Sequence, residues 1–181
     1  MAAPTDTVYG LLADATNPLA VERLFLAKGR GREKSVSIFL EKGEIHRFCR
    51  LSEVARELMD TLLPGPYTLV LPATPNNGLA AILSPQETVG VRVIDHPVIL
   101  KLLRLTKRPL TATSANPSGL DPAQAPEELH PELVKRIDGV IHGGRTPGGA
   151  STVVSLVTTP PKVLREGKGM EAFRRWYERR F

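Results

Sequence analysis

The chain has 181 residues, 41% of them hydrophobic and 24% charged, with a formal net charge of +5. That length argues for one domain with a real core rather than two, and the composition excludes a disordered chain; the single cysteine, Cys49, excludes an intramolecular disulfide and a cysteine-rich zinc site. No apolar run approaches membrane-spanning length and no signal-peptide core precedes the polar residues, so a cytoplasmic protein with no membrane partner is expected, its basic charge favouring anionic ligands.

The first stretch, Pro4-Thr5-Asp6-Thr7-Val8-Tyr9-Gly10, sets three side-chain oxygens between a proline and a glycine and reads as a turn that caps or binds. From Asn17 the signals become helical, with Asn17 as N-cap, Pro18 in the first position and Leu19, Leu24, Phe25 and Ala27 as apolar face. Gly29 ends this helix beside Lys28 and Arg30. Lys28 has a plain reading as a cation at the negative end of a helix dipole. Val36 to Leu40 reads as a strand, Ser52 to Leu63 as a helix stopped by Pro64-Gly65-Pro66, and Tyr67 to Leu71 as the next strand. In Thr88 to Ile94 alternation sets Val89, Val91 and Val93 on one face and Gly90, Arg92 and Ile94 on the other. Asp95 and Pro97 open a helix through Leu105. Pro109 to Thr113 forms a strand that feeds Ser114-Ala115-Asn116-Pro117-Ser118-Gly119. Pro126 to Ile137 is helical with a restart at Pro131, Val140-Ile141 is a strand, and the glycine-rich run from Gly143 to Gly149 leads to Ser151 and Thr152. Lys162 to Arg165 gives the last strand. A basic helical tail over residues 169–181, with Phe173, Trp176 and Tyr177 at helical spacing, is expected to pack on a domain of residues 1–168.

Strands and helices alternate, and some strands follow one another without a helix, which predicts an α/β domain with a mixed sheet. No Walker A loop, dinucleotide fingerprint or G-x-S-x-G elbow is present. His46, His96, His130 and His142 stand apart without metal-ligand spacing, and no metal ligand is assigned. What remains is a set of cations, Lys28, Arg30, Arg92 and Arg165, among small hydrogen-bonding side chains, Thr5, Ser114, Asn116 and Ser151. Such an inventory suits phosphoryl or nucleotidyl transfer, where positioning and charge stabilisation dominate, and a bidentate arginine suits a carboxylate.

The order of these stretches resembles the YrdC-like family of threonylcarbamoyl-AMP synthases. The matching pieces are Pro4 to Leu11, Ala27-Lys28-Gly29-Arg30, Pro64 to Leu71, Val91-Arg92-Val93 with His96-Pro97, Thr113 to Asn116 with Ser118-Gly119, Gly143-Gly144, Ser151 to Val154, and Leu164-Arg165 with Gly167. The resemblance implies a twisted mixed parallel and antiparallel sheet with flanking helices and a basic concave face. It also implies a nucleotidyltransferase that makes threonylcarbamoyl-AMP and pyrophosphate from L-threonine, bicarbonate and ATP, with Mg²⁺ accompanying ATP. The product would serve a separate transferase complex that modifies tRNA. By residue, Lys28 and Arg30 are implied as catalytic and, with Ser114, Asn116 and Arg165, as ATP-binding; Thr5, Arg92 and Ser151 are implied as threonine-binding. An RNA-binding, translation-associated module on the same fold, without adenylation, stays open as an alternative. The chain departs from the family pattern at Gly31, Phe39, Asp121 and Ala150. It also starts almost at the Pro-Thr motif, which leaves open whether the first strand is absent or the start is misassigned.

Overall fold

The computed structural model describes all 181 residues. Eight strands run through it: Ala2–Ala3 (β1), Gly10–Leu11 (β2), Ser37–Phe39 (β3), Tyr67–Pro72 (β4), Thr88–Arg92 (β5), Leu110–Ser114 (β6), Thr152–Ser155 (β7) and Lys162–Arg165 (β8). They form one open sheet in the order β1-β2-β6-β3-β5-β4-β7-β8. β3 with β5 and β4 with β7 are parallel, and the other pairs are antiparallel. The helices are Pro18–Lys28 (α1), Ile45–Phe48 (α2), Glu53–Leu62 (α3), Pro97–Thr106 (α4), Pro131–Val134 (α5) and Met170–Arg180 (α6). This is the expected α/β fold with a mixed sheet and flanking helices.

Period-two alternation decides which face is core. Ile38, Leu69, Leu71, Val89, Val91 and Val154 are buried on one side, packed by Val21, Leu24 and Phe25 of α1, by Leu58 and Met59 of α3, and by Phe173 and Trp176 of α6. Each such side chain taken fully out of water contributes about 1.5–3 kcal/mol. On the other side Phe39, Leu110 and Ala112 are covered by Ile99 and Leu103 of α4. Beyond α4 that face opens, and Ser37, Val70, Gly90, Val153 and Ser155 are half-buried along it. The last residue of β5, Arg92, lies beside Phe39, and β8 sets Arg165 beside Val153. Two arginines therefore belong to this open face.

Local chemistry explains where α1 begins and ends. The Asn17 side chain accepts from the N–H groups of Leu19 and Ala20, and Pro18 takes the first turn. Gly29 closes the helix with φ of 58°, a left-handed conformation that glycine adopts without strain. Lys28 is thus fixed as the last helical residue.

The structure corrects several expectations. Leu19 is 72% exposed, and the buried side of α1 is Val21, Leu24, Phe25, Ala27 and Lys28. Val140-Ile141 forms no strand, only an isolated bridge from Val140 to Ala2. The helical reading of 126–137 shrinks to a single turn at Pro126–Glu128 and the four residues of α5, because Pro131 cannot continue the preceding turn and only starts a new one. A strand does precede the Pro-Thr motif: β1 pairs with β2 through Ala2 with Leu11 and Ala3 with Gly10. His96, rather than Asp95, holds the cap position of α4 and makes no side-chain capping bond.

α6 lies against α3 and the start of β4. Tyr67 Oη donates to Gly169 O at 2.7 Å, Phe173 and Trp176 are 3% and 7% exposed, and Arg180 reaches Glu57 at 3.0 Å.

Candidate active site

Two loops and one helix end meet at Lys28. Although 2% exposed, Lys28 has no carboxylate partner. Its Nζ donates to Ser114 O, to Asn116 O at 2.9 Å and to Asn116 Oδ1 at 3.0 Å, with Ser114 Oγ at 3.4 Å. Ser118 N donates back to Lys28 O at 2.8 Å. The side chain therefore leaves the helix end and pins the loop after β6, so the plain reading of Lys28 as a helix-capping charge does not hold; Gly29 does the capping. Burial holds the Lys28 ammonium down at about 8, with the neighbouring Arg30 charge adding to the effect. Arg30 is itself half-buried, with its Nε on Lys34 O at 3.1 Å and Nη2 on Ser35 O at 2.8 Å. Both cations donate only to neutral carbonyl, hydroxyl or amide oxygens; the Glu33 carboxylate lies in the field of Arg30, while Lys28 has no acidic side chain beside it.

A second cluster forms where β5, β7, β8 and the Pro4–Tyr9 segment meet. Thr5 Oγ1 donates to Val8 O at 2.7 Å and accepts from Thr7 N at 3.1 Å, which fixes a tight turn. That turn presents Asp6, whose Oδ1 accepts from Arg92 Nη2 at 2.6 Å, while Thr7 Oγ1 stands 3.5 Å from the same nitrogen. Arg92 is 9% exposed and its guanidinium carbon lies 5.1 Å from the centre of the Phe39 ring, a cation–π stack. Its pKa lies below the ordinary arginine value through burial, opposed by Asp6 and reinforced by the charge of Arg165. Arg165 donates from Nη2 to Ser151 O at 2.9 Å and Ser151 Oγ at 3.0 Å, and Ser151 Oγ lies 2.9 Å from Thr68 Oγ1. Gly167 makes this possible: a Cβ there would come within 2.4 Å of Ala150 O and 2.7 Å of Ser151 O.

The glycine-rich stretch closes the site's rim. Tyr9 Oη accepts from Gly143 N at 3.2 Å and donates to Gly144 O at 2.9 Å, and Gly148 N donates to Thr7 O at 2.7 Å. The chain's first residues are drawn in the same way, with Ala2 N on Gly139 O and Ile141 N on Ala2 O, both at 2.9 Å.

The residues singled out in the sequence thus fall into two groups. Lys28, Ser114 and Asn116 are joined directly, with Arg30 beside them; Arg92, Ser151 and Arg165 gather around the Thr5–Thr7 turn. Arg165, grouped with the nucleotide residues from the sequence, sits on Ser151. Sequence reasoning missed Asp6, Thr68 and His96 as members. Asp6 carried a signal, since a carboxylate between two threonines in a turn is a ready partner for a strand arginine; Thr68 and His96 lie within the family-matching pieces Pro64 to Leu71 and His96-Pro97, but no role is implied for them there. Cys49 is buried, its thiol pushed up to about 12, so it is an inert core group. A cavity of about 600 Å³ lined by Leu11, Leu24, Ala27, Leu102 and Leu110, with Asp14, Arg23, Arg108, Arg136 and Asp138 among its polar lining, contains none of these residues.

A family model named Sua5/YciO/YrdC, described as telomere recombination, matches residues 1–167. The chain belongs to this family. The threonylcarbamoyl-AMP synthase of Bacillus subtilis is 37% identical over 172 residues, covering 92% of this chain and 49% of that protein. The enzyme of the same name from Mus musculus is 36% identical over 181 residues, covering 94% of this chain and 63% of its own. Among solved structures, P. abyssi Sua5 complexed with L-threonine superposes with a TM-score of 0.87 at 34% identity, over 96% of this chain and 52% of that one. E. coli YciO does so with a TM-score of 0.81 at 29% identity, over 93% and 82%. The chain spans about half the length of the Bacillus and Pyrococcus relatives it matches. No helix is long and apolar enough to cross a membrane.

Proposed function

We propose that the chain is a threonylcarbamoyl-AMP synthase domain. In this reading L-threonine and bicarbonate give a carbamate, a carbamate oxygen attacks the α-phosphorus of ATP, and the bond to the β-phosphate breaks to release pyrophosphate. The observation that carries the reading is the buried, carboxylate-free ammonium of Lys28 joined to Ser114 and Asn116. A cation held only by neutral oxygens in a low-dielectric setting stabilises an anion strongly. Lys28 and Arg30 would supply that charge to the phosphates as catalytic groups, with Ser114 and Asn116 ordering the nucleotide. Thr5, Arg92 and Ser151 would hold threonine, the arginine meeting its carboxylate. Arg165, which donates to Ser151 and adds its charge near Arg92, would bind ATP.

No group of three or more His, Cys, Asp or Glu side chains is placed to hold a metal. A Mg²⁺ ion entering with ATP would accordingly be held by phosphate oxygens and water, as is usual for this cation, and would neutralise charge on the leaving pyrophosphate. Delivery of the product to a tRNA-modifying transferase, and a cytoplasmic location, belong to the same proposal.

The test supplies ATP, L-threonine and bicarbonate and follows pyrophosphate together with the adenylate product. Release that depends on all three substrates is expected. Release without threonine, or none at all with threonine and ATP both bound, removes the proposal and leaves the RNA-binding alternative, which a salt-dependent gel-shift assay would then address.

A further inference from the structure

Six buried side-chain polar atoms have no hydrogen-bond partner, and two of them belong to one ion pair, Asp6 Oδ2 and Arg92 Nε, with a third, His96 Nδ1, four residues further along the chain from Arg92. Buried polar atoms are nearly always paired, so a cluster of unpaired ones marks an arrangement kept for a reason other than stability. His96 lies within the field of the Asp6 carboxylate, and burial holds its imidazole below the ordinary value, hence uncharged near neutral pH. Arg92 is held from one side by Asp6 and from below by Phe39, with the positive charge of Arg165 close by.

The charge count matters. Arg92 is paired with one carboxylate, Asp6, and the exposed Arg165 adds its charge to the field at Arg92, which leaves a single net positive charge among the three. That suits one carboxylate or carbamate group. Without Asp6 the buried Arg92 would lose its counter-ion and its fixed direction, and the pocket would hold two uncompensated cations.

We propose that Asp6 is a positioning residue for Arg92: it fixes the guanidinium over Phe39 and sets the charge of the pocket. The inference rests on the threonine-binding role proposed for Arg92.

Threonine and ATP binding would be measured separately by calorimetry on the wild-type chain and on Asp6→Asn and Asp6→Glu. Asp6→Asn should weaken threonine binding by about tenfold or more while ATP affinity stays within about twofold, and Asp6→Glu should recover part of the loss. Wild-type threonine affinity in Asp6→Asn overturns the inference. If the wild-type chain binds ATP but no threonine, the functional reading fails instead. The arginine Nε–H resonance of Arg92 still decides the positioning claim: Asp6→Asn should speed its exchange with water, and an unchanged rate refutes it. If Asp6→Asn does not fold, the Asp6→Glu variant carries the test.

Discussion

At the scale of single residues the decisive group is Lys28. Its three donors are engaged by oxygens of Ser114 and Asn116, so the ligand-free state is satisfied by hydrogen bonds but not by charge. Lys28→Met keeps most of the volume and removes the charge; it should weaken ATP binding by about ten- to a hundredfold, in line with charge-assisted hydrogen bonds, while leaving threonine affinity near the wild-type value. Calorimetry with each ligand checks both halves. A pH dependence follows from the same residue. Its folded-state value of about 8 lies below the ordinary 10.5. Folding therefore releases the proton between these two values, and stability rises as pH rises through that window, the charged lysine being the disfavoured form below it. Bound phosphate acts in the opposite sense and draws the proton back. ATP binding at pH 8.5 should thus take up protons, visible as a dependence of the measured heat on the buffer's ionisation enthalpy, and ATP affinity should decline above pH 8. In Lys28→Met both effects should vanish.

At the scale of elements, the legible parts of the sequence were those whose ends carry their own chemistry. Asn17, Pro18 and Gly29 delimit α1 without any tertiary information, and so they placed Lys28 at a helix end. The run from Leu110 into Ser114-Ala115-Asn116 placed the other half of that cluster at a strand end. The pairing of Asp6 with Arg92 was not legible, because it joins residues 86 apart in the chain and depends on the register of β5 against β3. The two-residue strands β1 and β2 were equally hidden, being too short for any periodicity to register. Gly167 shows how an unremarkable position supports the site. Gly167→Ala sets a methyl against the backbone of Ala150 and Ser151, with contacts from 2.4 Å. The end of β8 must then move away, at a cost of about 1–3 kcal/mol. We expect a lower melting temperature together with a loss of pyrophosphate release larger than the stability change alone accounts for. Full activity in the folded variant would show that Arg165 need not rest on Ser151.

At the scale of the whole molecule, the sheet separates two tasks. One face is a continuous apolar core covered by α1, α3 and α6, while the other is covered only in part by α4 and keeps its arginines beside open, half-buried strand residues. The aromatic spacing of the tail reads directly as a packed helix, since Phe173 and Trp176 recur three apart and their ring centres lie 5.9 Å from each other. Phe173→Ala should reduce stability by about 3–5 kcal/mol, seen as a lower urea midpoint, with ATP and threonine affinities unchanged in the protein that remains folded. A parallel loss of ligand affinity would mean that α6 acts on the site and not only on the core. The division of the chain into a domain of residues 1–168 and a packed tail of 169–181 is proposed on the same grounds.

The hydrogen bonds from Ala2 to Gly139 and Ile141, and from Thr7 to Gly148, have a consequence for biosynthesis. The turn that holds Thr5 and Asp6 leaves the ribosome well before the glycine-rich stretch that fastens it, which follows after some 130 more residues, on the order of ten seconds later at ordinary translation rates. The Pro4–Tyr9 segment therefore lacks its bonds to Gly143, Gly144 and Gly148 while the helices and central strands collapse. This rim of the candidate site is among the last parts of the molecule to acquire its shape, and contacts of such long sequence separation make for a slow-folding domain. A nascent chain interrupted before residue 139 would hold Lys28, Ser114 and Asn116 but would lack the strap over the second cluster.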